Sequence, residues 1–123
     1  MNNVLLIGLD PKYVDFTEFP MLDEQKLSAG LKAEEERLNG LGYQAAWCLI
    51  DTGETAEAMV VERLGAKEFD CILIGAGVRT MPAHFLLFER LINLVHTRAP
   101  RAKLCFNTKP NDSAEAVQRW VLP

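Results

Sequence analysis

Four short runs along the chain are apolar at nearly every position: Val4-Leu5-Leu6-Ile7-Gly8-Leu9, residues 43–50, residues 69–74 and residues 102–106. A strand wetted on one side alternates apolar and polar residues, so runs without alternation read as strands buried on both faces, the habit of parallel sheets. Each run closes on turn formers: Asp10-Pro11, Asp51-Thr52-Gly53, Gly75-Ala76-Gly77 and Asn107-Thr108-Lys109-Pro110-Asn111. The segments between them are helical. Leu27, Leu31, Leu38 and Leu41 form a stripe over residues 23–41, with Gly42 as the C-terminal cap. A second helix is expected over residues 55–64, stopping at Gly65. A third spans 80–98, with Pro82 in its first turn and Pro100 just beyond its end. The last, 112–121, opens on Asp112-Ser113-Ala114-Glu115, a capping-box-like pattern. Alternating strands and helices predict an α/β fold: a three-layer α/β/α sandwich over a four-stranded parallel sheet, in the order 2-1-3-4. No repeat or linker interrupts residues 1–123, which read as a single domain.

Composition narrows the picture. With 49% hydrophobic residues in 123, the chain is too apolar to be disordered and long enough for a core without staples. Seventeen acids against 13 bases give a net charge of −4, which argues against nucleic acid as a partner. No apolar run approaches the ~20 residues that span a bilayer, and Met1-Asn2-Asn3-Val4 lacks the basic region of a signal peptide. Cys48, Cys71 and Cys105 each sit inside an apolar run, with no C-x-x-C pair; they read as small core hydrophobes in a reducing, cytoplasmic compartment.

Over nearly its whole length the chain resembles flavodoxin-like proteins and response-regulator receiver domains at the level of the fold. Lys109-Pro110 after the last strand is similar to the receiver lysine-proline. Receiver domains carry adjacent acids after the first strand and a phospho-accepting aspartate ending the third. Here those places hold Leu9-Asp10-Pro11 and Ile74-Gly75, so phosphotransfer does not carry over.

In open parallel sheets ligands lie beyond the C-terminal strand ends where the strand order reverses, here between the first and third strands. Candidate ligand-binding residues there are Asp10, Tyr13, Gly75, Gly77, Arg79, Thr80 and Asn107. The stretch Gly75-Ala76-Gly77-Val78-Arg79-Thr80 lets a ligand approach the backbone, and Arg79 offers a fork for phosphate or carboxylate. It is neither a P-loop nor the G-x-G-x-x-G fingerprint. Asp10 and Asp51 end adjacent strands and suit Mg²⁺ or ribose hydroxyls, or simply cap turns. The long connection over residues 10–22 carries Tyr13, Phe16 and Phe19 at three-residue intervals, suited to a lid, a partner contact or packing on the sheet's own edge. Asn107 belongs to a polar loop that serves a ligand or a helix cap.

Other chemistry is sparse. His84 and His96, twelve positions apart on one helix, cannot share a metal, and no ligand spacing appears elsewhere. His84 is the one neutral-pH acid/base candidate near the strand ends. No nucleophile elbow exists; Ser28 and Ser113 lie in or at helices. No metal or nucleotide motif is present, and flavin stays open because flavodoxin-type sites rest on loops. Glu34 falls within the leucine stripe of the first helix. It is expected to reach water by helix rotation or snorkelling, or else to pair with a base across an interface. The helix over 80–98 carries Phe85, Leu86, Leu87, Phe88, Leu91, Ile92, Leu94 and Val95, more than one core face requires, which predicts a homodimer through it. Two functions follow as expectations: binding of a small anionic or nucleotide-like ligand at the strand ends, or a non-catalytic, receiver-like interaction module that dimerises without ligand.

Overall fold

The computed structural model describes residues 2–18, 20–53 and 55–123. The four strands are β1 (Asn3–Leu9), β2 (Gln44–Ile50), β3 (Cys71–Ile74) and β4 (Lys103–Phe106). They form one parallel sheet in the order β2-β1-β3-β4, with Leu6 opposite Trp47 and Leu73, and Leu73 opposite Cys105. The helices are α1 (Glu24–Gly40), α2 (Ala56–Ala66), α3 (Ala76–Arg79), α4 (Phe85–Arg98) and α5 (Ser113–Gln118). This is the flavodoxin-like three-layer arrangement, and the strand order matches the expected one.

Alternation along β1 divides the core. Leu5, Ile7 and Leu9 pack with Val60 of α2 and Leu87, Leu91 and Val95 of α4. Val4 and Leu6 pack with Leu38 of α1 and Ala114, Ala116 and Val117 of α5. Both faces of the central strands are covered, which is why these strands carry no polar alternation. Cys48, Cys71 and Cys105 are buried and free, as expected of core hydrophobes, and burial pushes the Cys48 thiol above its ordinary value. Among the described residues no helix is long and apolar enough to cross a membrane.

Several boundaries depart from the sequence pattern. The helix expected over 80–98 starts late: a 3-10 turn at Pro82–His84 precedes α4, and the short α3 lies ahead of both. Met81 takes φ −86°, ψ 123°, because a residue before proline is pushed out of the helical region. α2 continues through Gly65 to Ala66, since a helical glycine costs only about 1 kcal/mol. α5 ends at Gln118 instead of reaching residue 121, and the Val121 carbonyl accepts from the Tyr43 hydroxyl. Gly42 behaves as expected, following α1 with a φ of 106°, the left-handed conformation that glycine adopts without penalty.

The two sheet edges differ. Along β2 the outward groups belong to Ala45, Trp47 and Leu49; side chains cover those of Ala45 and Trp47, and those of Leu49 have no partner among the described residues. Asn39 bonds both the N–H (2.8 Å) and the carbonyl (3.1 Å) of Ala45. Glu35 accepts the Trp47 N–H at 2.9 Å, and Arg63 donates to the Trp47 carbonyl at 2.8 Å. Side chains that occupy ladder positions keep another strand from adding there. On β4, Leu104 faces outward and neither its N–H nor its carbonyl has a partner among the described residues.

Candidate functional site

The end of the sheet where the order reverses holds a cavity of about 60 Å³, walled by β1 (Gly8, Leu9), the turn after β3 (Gly75, Ala76, Gly77) and Asn107. Leu27, Leu31 and Trp47 close it from the α1 side, and Val14 and Pro110 complete it. Sequence reasoning placed the crevice and chose Gly75, Gly77 and Asn107, which the structure brings together. It missed Trp47, whose ring lies against Gly8: a Cβ there would sit 2.8 Å from the ring. The glycine inside an otherwise bulky strand run was the available signal, because such a glycine marks close approach. Trp47 is held by its indole N–H, which donates to the Leu31 carbonyl at 2.8 Å.

The polar residues at this end bond mainly to one another. Asn107 is 3% exposed. Its Oδ1 accepts the Ala76 N–H at 2.8 Å, and its Nδ2 donates to the Ser113 hydroxyl at 3.0 Å. Arg79, at the end of the short α3 turn, points inward. Its guanidinium donates to the Ile74 carbonyl at 2.7 Å and to the Asn107 carbonyl, with the Phe106 ring 5.3 Å from its centre. It therefore fills the gap where β3 and β4 part, taking carbonyls that the ladder no longer serves. Burial pulls the Arg79 pKa below its ordinary value, with the Asp112 charge acting the other way. Thr80 turns its hydroxyl back onto the Ala76 carbonyl at 2.7 Å.

The remaining candidates lie apart from the cavity. Asp10 accepts the Lys12 N–H at 3.1 Å and caps the 3-10 turn Pro11–Tyr13. Tyr13 is 42% exposed and lies under the Lys12 ammonium instead of over the cavity. Phe16 is half-buried, and Phe19, the third aromatic of the lid reading, lies outside the described residues. Asp51 accepts from Gly53 N–H and the Thr55 hydroxyl, so it too caps a turn. Those donors, the Thr55 hydroxyl first, hold its carboxyl below the usual range. Among the described residues no group of three metal-binding side chains forms. His84 contacts the Gly77 carbonyl through Nδ1 at 3.3 Å.

Two expectations change at the start of α5. Asp112 does not cap α5; its carboxylate turns back to Thr108 N–H (2.9 Å), the Thr108 hydroxyl and Lys109 N–H. The free α5 N–H of Ala114 goes instead to Glu34, which is 6% exposed. Glu34 thus stays buried within the chain instead of reaching water.

A larger cleft of about 320 Å³ opens at the opposite end of the sheet, between Lys67, Asp70, Arg98 and Arg101, and none of the candidates lies in it. The fold and strand ends define the class, a small flavodoxin-like α/β domain. No protein-family model and no curated protein matches the chain.

Proposed function

We propose that this protein is a non-catalytic interaction module that works by association through α4. The observation that carries this reading is the internal use of the strand-end polar groups: Arg79 and Asn107 are spent on Ile74, Ala76, Ser113 and each other. By contrast, Phe85 and Leu86 at the start of α4 are 58% and 61% exposed. Adjacent large apolar side chains left in water favour a partner surface. A small-ligand reading draws on the position of the cavity at the reversal of strand order, lined by Gly75 and Gly77. Its 60 Å³ lies well below the roughly 300–1,000 Å³ of small-molecule sites.

The test is a thermal-shift screen with inorganic phosphate, nucleotides, flavin mononucleotide and small carboxylic acids. The expected result is no saturable rise in Tm with any of them. Arg79→Ala should lower Tm in plain buffer, because two carbonyls lose a charged donor. A saturable rise with a nucleotide or flavin, abolished by Gly77→Val, would overturn the association reading.

A further inference from the structure

We infer that a second copy of this chain pairs antiparallel along β4, joining two four-stranded sheets into one about a two-fold axis at Leu104. The inference builds on the association reading and names its partner and edge.

The argument starts from which backbone groups the edge leaves over. In β4, Lys103 donates to the Asp70 carbonyl at 3.0 Å, so Lys103 and Cys105 face β3 while Leu104 and Phe106 face away. Among the described residues four groups on that side lack a partner: the N–H and carbonyl of Leu104, the N–H of Phe106 and the carbonyl of Ala102. Two flanking groups are already taken. The Ala102 N–H donates to the Ala99 carbonyl at 3.1 Å, and the Phe106 carbonyl accepts from Arg119 at 2.9 Å.

An antiparallel pair centred on Leu104 sets Leu104 opposite its own counterpart, a pair that exchanges both hydrogen bonds. Ala102 of each copy then lies opposite Phe106 of the other. The Phe106 N–H meets the free Ala102 carbonyl, and the bond that would run the other way needs the two groups each chain has already satisfied. Free donors and acceptors therefore match one to one under the two-fold, the self-complementarity that an isologous interface requires.

The side chains agree with the backbone. Leu104 and Phe106 are half-buried, and Phe88 of α4 meets Phe106 edge-on with ring centroids 6.2 Å apart. Phe85, Phe88 and Ile92 share one side of α4 by their spacing, so an apolar strip runs beside the open edge and would be covered by the second copy. Lys103 would face Cys105 of the other chain instead of a like charge. Residues 121 and 122 do not reach this edge, because Tyr43 and Asn2 hold the carbonyls of Val121 and Leu122 at the far side of the sheet.

Sedimentation velocity with amide hydrogen exchange tests this on the full chain. The expected results are a concentration-dependent mass rising from 13.8 kDa toward twice that value, and exchange at Leu104 and Phe106 slowed about tenfold or more in the concentrated sample. Leu104→Pro should return the mass to that of one chain with a cooperative melt retained, since it removes an N–H the monomer does not use and proline is tolerated at such edge positions. A dimer whose Leu104 and Phe106 amides exchange freely would overturn the β4 pairing and leave association through α4 standing. A mass of 13.8 kDa at every concentration would overturn the second copy as partner, while the ligand screen alone decides the broader reading.

Discussion

Glu34 Oε1 accepts the backbone N–H of Ala114 at 3.0 Å, across eighty positions of sequence. The first turn of a helix leaves N–H groups without partners, and here a carboxylate from α1 serves α5 in place of a local cap. Arg37 lies 3.7 Å from the other Glu34 oxygen and also pairs with Glu115 of α5, so one charged cluster clamps the two helices together.

Removing that acceptor leaves a buried donor unpaired. Glu34→Ala should lower the unfolding free energy by about 2 kcal/mol, within the range for an unsatisfied buried group. Glu34→Gln keeps an acceptor oxygen and should lose less. Urea denaturation of the three proteins checks the order, and equal stability of Glu34→Ala and the parent would contradict the clamp.

The same substitution should have opposite signs at two glycines. At Gly8 an added Cβ meets the Trp47 ring at 2.8 Å, whereas at Gly30 in α1 it meets nothing within 4 Å. Gly8→Ala should cost about 1–3 kcal/mol as overpacking and shift the Trp47 fluorescence. Gly30→Ala should gain about 0.4–1 kcal/mol by restricting the unfolded chain. Thermal melts of both variants read the contrast, and a loss at Gly30 would count against the helix geometry described.

Acid should weaken the fold through its turns. Asp15 is held below its ordinary pKa by the Thr17 N–H and hydroxyl, and Asp51 by the Thr55 hydroxyl and Gly53 N–H. A carboxyl with a lowered folded pKa stabilises above its unfolded value of about 3.9, and that contribution disappears as pH falls through the folded value. Tm should therefore fall below about pH 4. A Thr17→Val/Thr55→Val variant should show a shallower fall, and parallel curves for the two proteins would refute the assignment.

The strand order and the site of the crevice were legible because both follow from local pattern: unbroken apolar runs, turn residues behind them and a single reversal of order. Glu34 was not, since its partner lies on another helix and helical spacing alone placed it on an apolar stripe. Arg79 reads from sequence as a fork offered to an anion. Its inward direction depends on α3 being a single short turn, which follows from Pro82 forcing Met81 out of the helix. The capping-box pattern at 112–115 misled for a related reason, because Asp112 found three donors behind it in Thr108 and Lys109.

The side chains of Asn39, Glu35 and Arg63 over β2 restrict assembly through that side of the sheet. A sheet that can bond laterally on two sides can grow without limit, and that is how fibrils lengthen. One whose far side is occupied along Ala45 and Trp47 keeps there only the outward groups of Leu49. Joined through β4, each copy would turn this mostly covered flank to solvent, which disfavours addition beyond two.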